Sequence, residues 1–267
     1  MKLIAFTTMI LFNSINKIES FKVNNIINRS IKQIAYLSKK NINDGKIEYT
    51  PKSINQNEYK DSLSNKDIDL LFCLGPAGTG KTLFACQYAI KALQYNMVKK
   101  IIITRPMIAI EEDMGFLPGN IKEKMHPWTI PIFDIFEEIY SKKEIDSLID
   151  NNIIEIAPLG FMQGRTFKNS IIIADEMQNS TPQQMFMLLT RIGIDSKMII
   201  TGDLMQTKNV DNGLNDFIKK YKKRYIKYTN SNININIEEN NGIKFIELMK
   251  DDIQRSEIVV KINEIYK

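Results

Sequence analysis

Short apolar runs recur along the chain, each followed by a stretch with helical spacing. Leu70–Leu74 is an unbroken apolar run that reads as a buried strand. Lys99–Thr104, Ile153–Ala157, Ser170–Ala174 and Met198–Thr201 read as four more. Between them, Lys81–Gln94 shows helical apolar spacing. Met185, Leu188, Leu189 and Ile192 form a second stripe at i, i+3, i+4 and i+7, which reads as a core face. Thr181-Pro182-Gln183-Gln184 is a start signal for that helix, with Thr181 as N-cap and Gln184 closing a capping box. Buried strands alternating with helices predict an α/β fold, a three-layer αβα core with a mainly parallel sheet. Thr229–Gly242 is Asn-rich and low in complexity, and reads as a surface insertion.

The junction after Leu74 carries the chemistry. Gly75-Pro76-Ala77-Gly78-Thr79-Gly80-Lys81-Thr82 fills every fixed position of a phosphate-binding loop, between a predicted strand and a predicted helix. Glycines allow backbone N–H groups to turn toward phosphate oxygens, and the helix N-terminus adds its dipole. Lys81 is expected to reach the β- and γ-phosphates and the Thr82 hydroxyl to ligate Mg²⁺.

Asp175-Glu176 stands at the carboxyl end of the Ser170–Ala174 run. Ligands of such sheets bind at the carboxyl ends of strands. Asp175 is positioned to hold Mg²⁺, and Glu176 to act as general base toward water. Gly202-Asp203-Leu204-Met205-Gln206 ends another strand, where a polar side chain can sense the γ-phosphate. Gln56 and Tyr59 precede the first strand, and a Gln carboxamide can meet both a donor and an acceptor on an adenine edge.

Charge changes the picture only at the start of the chain. The 267 residues carry a net charge of +5, but residues 1–40 hold seven Lys or Arg against Glu19 alone, leaving the remainder near neutral. Lys2 precedes an apolar core, Leu3–Phe12, and an acid-poor basic stretch follows to Lys40. Residues 1–40 therefore read as a two-part targeting leader, signal-like and then transit-like, with plastid-type import ahead of mitochondrial. The leader core is too short to span a bilayer, and no membrane association is expected of the mature form. Cys73 and Cys86 read as small core residues, and His126 has no Cys or His neighbours with which to bind zinc.

Taken together, these motifs resemble the PhoH-like ATPase family over about residues 47–267. The resemblance rests on Gly75–Thr82, Thr104-Arg105-Pro106, Gly115-Phe116-Leu117-Pro118-Gly119 and Gly164-Arg165-Thr166. Ala174–Asn179, Leu189-Thr190-Arg191-Ile192-Gly193 and Gly202-Asp203 with Gln206 extend it. The Asp-Glu-x-Gln and Gly-Asp-x-x-Gln elements also look like those of superfamily 1 helicases. The resemblance implies a P-loop NTPase core of RecA and superfamily 1 helicase type, taking ATP and Mg²⁺. It implies Gln56 near the adenine, with Lys81, Thr82, Asp175, Glu176 and Gln206 around the phosphates. It also implies a link to RNA or a ribosomal subunit, and to an endoribonuclease partner in ribosomal RNA maturation. The chain departs from the family pattern at Glu111-Glu112, His126-Pro127-Trp128 and Arg255-Ser256.

Other P-loop classes fit less well. The only Asn-Lys-Asp, at Asn65, precedes the phosphate loop and continues into Ile68, which argues against a GTPase. Glu176 beside Asp175 favours hydrolysis over transfer to a small acceptor. The 61 residues after Gln206 are too few for a second motor domain, so a homo-oligomer, a hexameric ring, is expected to complete the site. Arg191 and Arg255 are the candidates for an arginine supplied across a subunit boundary, Arg255 first. A nucleotide-dependent switch docking on an assembling ribosome is the alternative. Lys219, Lys220, Lys222, Lys223, Arg224 and Lys227, interleaved with Tyr221, Tyr225 and Tyr228, are the candidate RNA contacts.

Overall fold

The apolar runs become the strands of one sheet. In this computed structural model residues 48–106, 121–206, 212–225 and 242–254 are described, apart from the side chains of 121–127. The strands are β1 (Leu70–Leu74), β2 (Lys100–Thr104), β3 (Ile154–Ile156), β4 (Ser170–Ala174), β5 (Lys197–Gly202) and β6 (Ile243–Glu247). Their order is β3-β2-β4-β5-β1-β6, and every neighbouring pair is parallel. The five expected strands appear within one residue of their expected ends. The sequence reading missed β6 because it lies at the sheet edge, where Lys244 and Glu247 interrupt its apolar residues.

The helices are α1 (Ile54–Ser64), α2 (Lys81–Gln94), α3 (Ile121–Glu137), α4 (Lys142–Asp150), α5 (Pro182–Leu189) and α6 (Gly213–Tyr225). Parallel strands need crossovers, so the sheet is covered on both faces. Alternate strand residues Phe72, Ile102, Ile172, Met198 and Ile200 pack with Met185 and Leu188 of α5 and with Leu214 and Ile218 of α6. Across the sheet, α2 packs on β2, β4 and β5 and buries Phe84, Ala85, Cys86, Ala89 and Ile90. Cys73 and Cys86 are free core residues, and burial pushes both thiols up, away from reactive thiolate. The Thr181–Gln184 capping box forms as expected on α5. A second one, Ser141–Glu144, starts α4.

Gln56 and Tyr59 are buried on α1, which Ser53 caps by accepting from the Gln56 amide at 3.1 Å. One local expectation is corrected. Tyr221 of the basic segment does not stand among its cations. Helical phase turns Tyr221 inward, 4.9 Å between ring centres from both Phe245 and Tyr225. Lys219, Lys220, Lys222, Lys223 and Arg224 are exposed on α6. Lys227, Tyr228 and the insertion before Gly242 lie outside the described residues, as do residues 1–47. Among the described residues no helix is long and apolar enough to cross a membrane.

Candidate active site

The site begins where β1 runs out of sheet. Gly75 takes φ +142°, and its amide donates to the Gly202 carbonyl at 3.1 Å. A Cβ at Gly75 would come within 2.2 Å of the Leu248 carbonyl oxygen, so the first turn of the loop accepts only glycine. The loop continues through Pro76, Ala77, Gly78, Thr79 and Gly80 into the N-terminus of α2. The buried Thr79 hydroxyl donates to the Pro76 carbonyl at 2.9 Å and braces the loop from inside. Lys81 Nζ donates to the carbonyls of Gly75 at 2.7 Å and Pro76 at 2.8 Å. An ammonium has three N–H donors, so one remains for a phosphate oxygen. Burial lowers the Lys81 pKa, against the pull of nearby anionic groups that include Asp203, Glu176 and Asp175.

Because β5 lies between β1 and β4, the loop and the Asp175-Glu176 pair stand on either side of one strand. Thr82 crosses that gap. Its hydroxyl donates to Asp175 Oδ1 at 2.8 Å, and Thr201, at the end of β5, donates to the same oxygen at 2.5 Å. Asp175 is 5% exposed and its amide donates to the Thr104 carbonyl at 3.0 Å, so its position is fixed from β2, β5 and α2. Glu176 sits in the left-handed region (φ 55°, ψ 40°), which costs a non-glycine residue about 1–3 kcal/mol. Gln178 holds it there: Nε2 donates to Glu176 Oε2 at 2.5 Å, while Oε1 accepts the Asp203 amide at 3.1 Å. The carboxylate is thereby tied to the end of β5.

The remaining expected residues fall in different places. Gln206 is exposed in the turn after β5, its amide donating to the Asp203 carbonyl at 3.2 Å. The buried polar side chain of that element is Asp203, whose Oδ1 accepts from the Met205 amide at 2.9 Å. Gln56 Nε2 donates to the carbonyls of Thr79 at 3.0 Å and Asp252 at 3.1 Å, while its Oε1 accepts the Lys52 amide at 2.8 Å. It clamps the loop apex to the C-terminal segment, with both donors and an acceptor site engaged inside the protein. The Gln254 amide donates to Gly78 at 3.0 Å on the same side. Arg191 lies after α5 and directs Nε to the Met187 carbonyl at 3.1 Å and Nη1 to the Arg165 carbonyl at 3.2 Å, a bracing role. Arg255 lies outside the described residues.

Sequence reasoning gave no role to Gln178, Thr201 or Arg105. Arg105 and Gln178 stood inside the Thr104-Arg105-Pro106 and Ala174–Asn179 motifs without a role of their own, and Thr201 left a signal as the polar residue closing an apolar strand. The Thr82 hydroxyl and the Asp175 carboxylate are hard oxygen donors on adjoining elements, and they fit a magnesium ion. The loop amides and Lys81 fit the phosphates of a nucleotide. A cavity of about 470 Å³ lies elsewhere, at the amino edge of the sheet, walled in part by Ile68, Tyr88, Asn169 and Lys197. There Lys197 Nζ donates to the carbonyls of Ser62 at 3.1 Å, Leu63 at 2.7 Å and Asn65 at 2.6 Å, closing the C-terminal end of α1.

Known proteins are similar to this chain in sequence. A PhoH-like protein of Bacillus subtilis (strain 168) is 42% identical over 218 residues, covering 80% of this chain and 63% of its own length. One from Synechocystis sp. is 37% identical over 216 residues, covering 81% and 61%. The chain thus spans less than two thirds of the length of these relatives. Among solved structures, the Sulfolobus solfataricus SWI2/SNF2 ATPase core in complex with dsDNA is similar at 13% identity, with a TM-score of 0.45. That likeness covers 78% of this chain and 48% of the other. The sequence pattern of the PhoH-like protein family matches residues 48–267, a span that takes in every described residue. The chain therefore belongs to the PhoH-like family.

Proposed function

We propose that this chain is a Mg²⁺-dependent ATPase acting in RNA metabolism. The carrying observation is the meeting of Thr82 with Asp175 at 2.8 Å, next to Glu176 and across β5 from Lys81. Lys81 and the loop amides bind the phosphates, and Thr82 and Asp175 hold the metal. Bound Mg²⁺ supplies charge neutralisation at the β- and γ-phosphate oxygens. Glu176, oriented by Gln178, takes the proton of the attacking water. The Gln178 link to the Asp203 amide gives the end of β5, and Gln206 beyond it, a route to respond when phosphate is lost. The exposed cations of α6 support a nucleic-acid partner, since they are free of the aromatic core. RNA is the partner proposed, in an organelle reached through residues 1–40. A ribosomal subunit, an endoribonuclease and a hexameric ring complete the reading.

The test is steady-state ATP hydrolysis with and without Mg²⁺ and RNA. Glu176→Gln should retain ATP binding and lose about 10²–10⁴-fold in kcat. Lys81→Ala should weaken binding and turnover together. Normal turnover by Glu176→Gln would remove the base assignment.

A further inference from the structure

The carboxyl edge of β2 carries a cation that the mechanism above does not use. Arg105 follows Thr104, whose carbonyl accepts the Asp175 amide, so Arg105 stands beside the Asp175-Glu176 pair. Its Nη1 is 4.0 Å from Asp175 Oδ2, beyond hydrogen-bond length. The same nitrogen donates to the Trp128 carbonyl at 3.4 Å, near the limit for such a bond, and the guanidinium carbon lies 5.8 Å from the Trp128 ring centre. Nε is buried and has no acceptor among the described residues. The neighbouring Thr104 hydroxyl is buried without one too.

A guanidinium carries five N–H donors. Leaving a buried donor unmet costs about 1–3 kcal/mol, so a cation held this loosely beside a catalytic carboxylate calls for another acceptor. Other described arginines are not in this state. Arg165 pairs with Glu155 at 2.5 Å and lies over Phe167, and Arg191 is bound to carbonyls. The acceptor that suits a planar fork at this edge of the sheet is a phosphoryl group. Trp128 provides a resting place worth only about 0.5–2 kcal/mol, weak enough to be left for a charge-assisted phosphate contact.

We propose that Arg105 is a catalytic residue of this ATPase, contacting the γ-phosphoryl oxygens as they gain charge; this rests on the hydrolytic reading above. Water oxygen bonds to the γ-phosphorus, and the β–γ bridging P–O bond breaks with its electron pair leaving on ADP. Glu176 takes the water proton. Arg105 offsets charge on the non-bridging oxygens. The chain thus carries one such arginine of its own, whatever a neighbouring subunit adds through Arg255.

Trp128 is the single tryptophan of the chain, so its emission reports on the guanidinium beside it. Wild type, Arg105→Ala and Arg105→Lys are compared for kcat, KM, ADP affinity and tryptophan emission. The expected result is a loss of about 10³-fold in kcat for Arg105→Ala, with ADP affinity within about twofold of wild type. Emission should change on adding ADP with aluminium fluoride, which mimics the transferring phosphoryl group, and not with ADP alone. That change should be absent in Arg105→Ala. Added guanidine should restore part of its turnover. Arg105→Lys, which keeps the charge but loses the fork, should fall between. Full turnover by Arg105→Ala overturns the proposal, as does a parallel loss of ADP binding in both variants, which makes Arg105 part of the scaffold. Loss of RNA stimulation alone, with basal turnover intact, also overturns it and assigns Arg105 to the RNA. A wild-type protein that binds ATP without hydrolysing it overturns the ATPase reading, and this role with it.

Discussion

The hydroxyl of Thr82, in the first turn of α2, donates to Asp175 Oδ1 at 2.8 Å from the opposite side of β5. One oxygen of Asp175 thereby holds the phosphate loop and, through Thr201, the end of β5 in register. Asp175→Asn removes the charge and keeps the shape. It should leave the fold intact and abolish Mg²⁺-dependent turnover, with nucleotide affinity no longer responding to Mg²⁺. Circular dichroism and titration of ATP at two metal concentrations check both halves. An Asn variant that still hydrolyses ATP at the wild-type rate contradicts the assignment.

Gly75→Ala meets a backbone atom. The added Cβ would lie 2.2 Å from the Leu248 carbonyl oxygen, at a φ of +142° that side chains rarely adopt. We expect a loss of more than about 2 kcal/mol by denaturant titration, from the strained φ and the overpacking together. Gly160→Ala is the control, since its Cβ would meet nothing within 4 Å.

Gln56 clamps the loop apex from α1, and Gln56→Ala leaves the Thr79 and Asp252 carbonyls without that donor. Stability should fall by about 1–2 kcal/mol, and ATP, ADP and GTP should all bind more weakly by a similar factor. A loss confined to adenine nucleotides would instead place the carboxamide against the base.

Lys197 gives the fold a pH signature. Burial pulls its pKa down from 10.5 to about 8. Between these values the unfolded chain binds the proton more readily than the folded protein does. Wild type should therefore gain stability relative to Lys197→Met as pH rises from about 8 toward 10.5. Urea titrations of both proteins at pH 7 and pH 9.5 measure the difference. A wild type that instead loses stability relative to Lys197→Met with rising pH would reverse the assigned shift.

The parts of the site read from sequence are those whose chemistry is contiguous. Gly75–Thr82 needs fixed residue types at fixed spacing, and Asp175-Glu176 follows an apolar strand that announces where it ends. What escaped reading is held by groups that leave no trace in residue type. Thr79 and Gly78 are gripped through their carbonyls, by Gln56 and by the Gln254 amide, and any residue offers a carbonyl. The tyrosines of α6 misled because neighbours in sequence point in different directions on a helix. Tyr221 joined the Phe245 cluster while the adjacent Lys222 faced solvent. The left-handed turn at Glu176 was hidden because nothing in a Glu predicts positive φ.

The place of β1 in the sheet has a consequence for how the chain is made. Its hydrogen-bonding partners are β5 and β6, which begin at Lys197 and Ile243, well after it along the chain. At ordinary translation rates the run Leu70–Leu74 leaves the ribosome roughly ten seconds before its first partner does. For that interval an apolar segment offers both edges to any other strand, the situation in which chains mispair and aggregate. Truncation before β6 would make that opening permanent on one edge of the strand that leads into the phosphate loop.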